Sequence, residues 1–381
     1  MDVLEDVSRK FLEGNLKLSA SLYQKLSAIN SDNLVLSPVS VQLVLALIQL
    51  GARGKTAAEL QEALHLPNSP DKLKESFKVL SSKLKSNQDY CLNAANKIYL
   101  KNKYVIDPDF FKLSREIFDA GLENLDFEEK VHAANVINKW VESKTNEKIK
   151  NLIDPEIFDE CTRMVLVNAL YFEGTWALPF EAQSTYKRYF FKSDNEEILV
   201  DTMHQVGYLN YKHDMELDAR MLELPYKGND ITFTIVLPNQ IKGLRAIESK
   251  LEQVLQPQQY SYQRVRLSMP KFKMQSSFKL IPPLKQLGVE DAFNPEESDF
   301  SGLLVNDERL MITDVIQKVF INVTESGTEA AAATAVVASY AVTSVGYEPQ
   351  PIEVRVDHPF LYIIKFGNLP LFVGRLEIPT V

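Results

Sequence analysis

Glu325-Ser326-Gly327-Thr328-Glu329-Ala330-Ala331-Ala332-Ala333-Thr334 is the stretch on which the reading of this chain turns. Alanine has the best intrinsic helix propensity, so four in succession suggest helix. A period of two suggests something else. Positions 328, 330, 332, 334, 336 and 338 are Thr, Ala, Ala, Thr, Val and Ala, all small and uncharged, and Glu329 falls in the intervening set. Alternation of this kind suits a strand with one buried face. The segment reads either as a flexible or helical connector or as a strand slim enough to slip between two others. No proline occurs from Glu325 to Glu348, so nothing there blocks ladder hydrogen bonding.

Two later segments supply the context: Val356-Asp-His-Pro-Phe-Leu-Tyr-Ile-Ile364 and Phe372-Val-Gly-Arg-Leu376. With residues 325–334 they resemble the hinge, the C-terminal signature and the closing strand of the serpin family. The match runs over nearly the whole chain, and the motifs are specific in combination. The resemblance implies an α+β fold in one domain, residues 1–381, with three β-sheets and about nine helices. It also implies an exposed reactive-centre loop, about residues 325–352, able to insert into the large sheet.

Size and composition are consistent with this and exclude several alternatives. Of 381 residues 45% are hydrophobic and 24% charged, which is ordinary for a chain with a sizeable core. The net charge of −9 and the lack of any basic block argue against nucleic-acid binding. No apolar run is long enough for a transmembrane helix, so no membrane partner is expected. The N-terminus, Met1-Asp-Val-Leu-Glu-Asp, lacks the pattern of a signal peptide. The expectation is an extracellular protein numbered from a mature start, or else a cytoplasmic one. Cys91 and Cys161 have no metal-like spacing and do not decide the compartment. A sequon, Asn322-Val-Thr324, lies in a strand leading to the hinge, where a glycan is one reading and chance occurrence the other.

Catalytic chemistry is not found. The histidines at 65, 132, 204, 213 and 358 are scattered, without a zinc-protease, nucleophile-elbow or Cys-x-x-Cys pattern. The chain is expected to be no enzyme, with no catalytic residues, no metal and no obligatory cofactor.

Taken in order, residues 5–27 carry one apolar face at helical period. A strand follows at Asn33-Leu-Val-Leu, and Pro38 starts a buried helix running through Leu50. A lysine-rich helix over 71–86 carries Lys72, Lys74, Lys78, Lys83 and Lys85, diluted by Asp71 and Glu75. It is either a solvated face or, as on some serpins, a stripe for heparin-like polyanions. Ala94–Leu100 reads as a strand, Ala134–Ile153 as a helix, and Met164 to Phe180 as a long apolar strand. Two strands joined by a Gly-Asn turn span Leu222–Pro238, and Ile241–Val254 reads as a helix. Val265–Lys273 and Thr313–Glu325 complete the strands.

The resemblance assigns roles to several of these positions. Ser37 and Ser40 match the family's Ser-Pro-x-Ser beneath the point where the sheet opens, and Asn168 and Gln317 belong to the same region. Ser37 as a plain N-cap is compatible with that role. Gln317 stands where many serpins have histidine, and it would not titrate near neutral pH. Trp176 matches a tryptophan at the top of the central strand. Lys271 matches a lysine that pairs with the glutamate at the loop base, here Glu325.

The implied mechanism is suicide inhibition of a serine protease through a covalent 1:1 complex, with the inhibitor a monomer. About 14 residues at ~3.3 Å each form a strand of ~45 Å, enough to span a large sheet. Counting from Gly327 puts the cleaved bond at Ala341–Val342. Counting back from Glu353 puts it after Glu348. Tyr340, next to Ala341, is a further alternative. Ala341 suits an elastase-like pocket and Tyr340 a chymotrypsin-like one. No Lys or Arg occurs between Ala335 and Ile352, so trypsin-like enzymes are poor targets. The rival readings are a serpin that binds or transports without trapping proteases, and an inhibitor of cysteine proteases.

Overall fold

A computed structural model describes residues 9–83, 86–87, 89–118, 120–306, 308–328 and 350–380. Its α-helices are α1 Arg9–Ile29, α2 Pro38–Gly51, α3 Gly54–Ala63, α4 Pro70–Lys83, α5 Pro108–Glu116, α6 Lys130–Lys144, α7 Leu244–Ser249, α8 Leu251–Leu255 and α9 Ile281–Gln286. The first eight strands are β1 Leu34–Leu36, β2 Tyr90–Lys101, β3 Gly121–Leu125, β4 Met164–Thr175, β5 Tyr186–Ser193, β6 Glu196–Asp214, β7 Ala219–Pro225 and β8 Ile231–Pro238. The remaining strands are β9 Ser261–Pro270, β10 Phe272–Lys279, β11 Ile312–Val323, β12 Gly327–Thr328, β13 Ile352–Arg355, β14 Phe360–Phe366 and β15 Leu369–Leu376.

These form an α+β fold with nine α-helices among the described residues. The expected three sheets are two hydrogen-bonded networks here. A nine-stranded one runs β1-β15-β14-β8-β7-β6-β9-β13, with β5 on β6, and a six-stranded one runs β10-β11-β12-β4-β2-β3. The cause is β6, whose 19 residues pair with β5 at one end, β9 along the middle and β7 at the other end. One unbroken strand thus fuses what would otherwise be two smaller sheets.

Strand β4 is buried along almost its whole length, which is why its sequence reads as one apolar run. Leu166, Leu170 and Phe172 face the main core, while Val165, Val167, Ala169 and Tyr171 face a second core beneath α6. A strand buried on both faces can still lose a neighbour at its edge, and this matters below.

Several boundaries differ from the sequence reading. Helix α6 ends at Lys144 rather than Ile153. Asn146, Glu147 and Asn151 have left-handed backbones (φ 47, 59 and 50°), which a helix cannot pass through. The 241–254 helix is two short helices meeting at Lys250. The Val265–Lys273 strand is two strands in different sheets. Pro270 offers no N–H, Lys271 leaves the ladder by donating its amide to Asp201 O (2.8 Å), and Phe272 begins pairing with Val323.

Candidate functional site

The site lies where β4 and β11 part. The two strands are parallel and pair directly from Ile312↔Met164 to Phe320↔Tyr171. Above Phe320 they separate, and β12 sits between them, Val323↔Thr328 on one side and Thr328↔Gly174 on the other. Gly327 and Thr328 therefore occupy the mouth of a seam that is closed below them.

Close approach governs this mouth. Gly327 has φ +154°, and a Cβ there would lie 1.9 Å from Gly174 O. A Cβ on Gly174 would in turn press on the rings of Phe172 and Tyr226 at 2.8 Å. Thr328 is fully buried, and its Oγ1 lies 2.6 Å from Tyr226 Oη. Burial raises the phenol pKa of Tyr226 and keeps it protonated, with the Thr328 contact opposing the rise. Tyr226 stacks on Trp176 at 4.4 Å, and Trp176 Nε1 donates to Thr324 O at 3.0 Å. Backbone amides complete the collar: Trp176 N to Ser326 O at 3.0 Å and Phe180 N to Glu325 O at 2.9 Å.

At the foot of the hinge, Lys271 Nζ lies 3.0 Å from Glu325 Oε2, and Thr185 Oγ1 donates to Glu325 Oε1 at 2.9 Å. Partial burial pushes the Glu325 carboxyl up, but its own amide, Lys271 and Thr185 outweigh this and hold it below the ordinary carboxylate range.

Lower in the seam a polar ladder crosses three strands. Asn96, Asn168 and Gln317 are register partners on β2, β4 and β11. Asn168 Nδ2 donates to Ser40 Oγ and to Asn96 Oδ1, and Gln317 Nε2 donates to Asn168 Oδ1. Gln317 also grips the start of α2, accepting from Ser37 N at 3.1 Å and donating to Ser37 O at 2.9 Å. The Ser37 hydroxyl makes no cap; it donates to Leu371 O at 2.7 Å. All five residues are nearly or fully buried.

The structure thus brings together Ser37, Ser40, Asn168 and Gln317 in one cluster, and Trp176, Lys271, Glu325, Gly327 and Thr328 in another. Sequence reasoning missed Asn96 and Tyr226. Neither had a local signal: β2 also carries Asn93, Lys97 and Lys101, so Asn96 does not stand out, and only the fold sets Tyr226 beside Thr328. Lys72, Lys74 and Lys78 lie on α4, but at about 100° per residue Asp71 and Glu75 fall between Lys72 and the Lys74–Lys78 pair. The remaining hinge residues Glu329, Ala330, Ala331, Ala332, Ala333 and Thr334 lie outside the described residues. So do Tyr340, Ala341, Val342, Glu348, Lys85 and the side chain of Lys83. Among the described residues, no cluster of His, Cys, Asp and Glu could hold a metal, and no helix is long and apolar enough to cross a membrane.

Comparison with known proteins agrees with this architecture. The family model for Serpin (serine protease inhibitor) matches residues 13–379. Serpin48 of the insect Tenebrio molitor, described as a highly specific serpin, superposes with a TM-score of 0.90 at 40% identity, covering 98% of this chain and 99% of that one. Alaserpin of Manduca sexta is 35% identical over 379 residues, covering 98% of this chain and 95% of its own. The leukocyte elastase inhibitor of Homo sapiens is 33% identical over 380 residues, covering 96% and 98%. The chain belongs to the serpin family.

Proposed function

We propose that this protein inhibits a serine protease as a suicide substrate. The observation that carries the reading is the seating of Gly327 and Thr328 between β4 and β11 above a closed seam. The protease serine Oγ attacks the carbonyl carbon of Ala341, the Ala341–Val342 peptide bond breaks, and the new amino terminus of Val342 takes the proton. The acyl ester then tethers the protease to a segment free to extend β12 down the seam. Names of relatives such as leukocyte elastase inhibitor support the same direction. Ala341 favours a small apolar specificity pocket.

The test is brief exposure to elastase, chymotrypsin and trypsin, read by denaturing gel and intact mass. The expected result is an SDS-resistant complex with elastase or chymotrypsin and a released peptide beginning at Val342. A peptide beginning at Pro349 moves the bond to Glu348. Cleavage by all three with no complex overturns the inhibitory reading and favours a binding or transport serpin.

A further inference from the structure

The β5–β6 hairpin and the chain around β13 border a cavity of about 360 Å³ that the seam does not use. A backbone hydrogen bond, Phe191 N to Asp357 O at 2.7 Å, draws the two together. The size suits a small molecule, since such sites run from about 300 to 1,000 Å³. Tyr186, Tyr189 and Leu199 line the cavity and remain 51, 53 and 56% exposed. Large apolar side chains scattered singly in water are ordinary, but three around one concavity leave surface that a ligand would bury. Tyr186 already stacks on His204 (4.1 Å, 13°), and a flat ring laid on its other face would extend that stack.

The charge around the cavity favours an anion. Lys187, Arg188 and Arg355 stand against one lining carboxylate, Asp357, which lies 2.9 Å from His358 Nδ1. Lys187 is taken by Asp201 at 3.1 Å, and Arg355 gives Nε and Nη2 to Glu353 Oε2 at 3.1 and 3.0 Å. That leaves Arg355 Nη1 for a second acceptor. The Arg188 side chain has no hydrogen bond or ion pair among the described residues. It follows Tyr186 by two positions, so both leave β5 on the same side, opposite Val200 and Thr202 of β6. Its charge reaches the stack: burial first, then Arg188, holds the His204 imidazole below its ordinary range, with Glu353 opposing. An unpaired guanidinium beside an aromatic stack is chemistry for a carboxylate carried on a ring.

We propose that this cavity binds a small aromatic carboxylate, its ring on Tyr186 and its carboxylate between Arg188 and Arg355. An inorganic anion would leave the tyrosine and leucine walls wet, and an uncharged ring would leave Arg188 without an acceptor. Occupancy has a structural consequence. Strand β13 has four residues and, among the described residues, pairs only with β9. A carboxylate held by both arginines would tie β13 to β5 across β6 and β9, and so would stiffen this edge strand. The site does not depend on the inhibitory reading, because nothing in it calls on the seam.

The probe is 1-naphthoate, titrated into the whole protein by ligand-observed NMR at neutral pH, with 1-naphthalenemethanol and decanoate as controls. A ligand of this size should bind with a dissociation constant of about 0.1–1 mM. The uncharged alcohol and the ringless acid should each bind about tenfold more weakly or worse. R188Q and Y186A change exposed side chains, so the melting temperature should hold while naphthoate binding weakens by about fivefold or more. K74Q, on α4, should bind as wild type does. Saturating naphthoate should slow amide exchange in Ile352–Arg355 by several-fold. Equal affinity in wild type, R188Q and Y186A, or equal binding of the alcohol or of decanoate, would overturn the site. Protection confined to β4 and β11 would do the same, because it would put the ligand in the seam. No binding at about 5 mM naphthoate would end the proposal outright.

Discussion

Thr328 shows how much one side chain decides. Its methyl and hydroxyl fit a fully buried slot, with Tyr226 Oη at 2.6 Å as the polar partner. An arginine there would force a guanidinium into a fully buried slot beside the Trp176–Tyr226 stack, a cost of several kcal/mol. The hinge would leave the slot sooner than bury that charge. Thr328→Arg should therefore still be cleaved but trap poorly, with stoichiometry of inhibition rising several-fold in a residual-activity titration; an unchanged stoichiometry would sink the insertion argument. Asp314, beside the bulge in β11, is a different kind of residue. Burial lifts its carboxyl to about 6, with Lys279 opposing and Asp159 adding to the rise. The folded value lies above the ordinary one near about 3.9, so the stability it contributes is full below about pH 4 and is lost as pH rises through about 6. Asp314→Asn should stabilise the protein at pH 7.5 by about 1–2 kcal/mol, below the full linkage because the group is partly solvated. Near pH 4 the gain should vanish. Urea unfolding at the two pH values checks this.

At the scale of elements, the seam between β4 and β11 is fastened by its polar ladder. Removing the Gln317 amide would strand Ser37 N and one side of Asn168 in a buried site and leave Ser37 O with only the Val41 amide at 3.3 Å. Gln317→Leu should cost about 2–4 kcal/mol of native stability, measured by urea denaturation at neutral pH; a change within experimental error would mean the ladder does not fasten the seam. Most elements around this seam were legible from sequence. Apolar runs gave away β4 and α2, and the Gly228-Asn229 turn, with φ 83 and 63°, marked the β7–β8 hairpin. The limits lay where tertiary contacts override pattern. Pro270 is a local sign that the strand breaks before Lys271, but that the next strand pairs with Val323 in the other sheet is set only by tertiary contact. The lysine run on α4 looked like a stripe in one dimension and is interrupted by acids in three. Asn96 reads as an ordinary strand residue until Asn168 is opposite it.

For the whole molecule the question is what insertion gains. In the present arrangement β4 and β11 satisfy each other over the eight register pairs from Ile312↔Met164 to Phe320↔Tyr171. A strand inserted between them would break that ladder and form two, one on each side. The net gain is about one ladder of roughly ten hydrogen bonds, each worth about 1 kcal/mol. Burial of small uncharged side chains at alternate positions adds little cost. At about 1.2 °C per kcal/mol for a chain of 381 residues, cleavage should raise the melting temperature by about 10–15 °C. Calorimetry on protein nicked after Ala341 tests this, with Thr328→Arg nicked at the same bond as control. The control should gain much less, because its first inserted position carries a charge. If the two nicked proteins melt together, the stability difference does not come from extending β12, and the closed seam would be the molecule's resting fold rather than a strand's empty place.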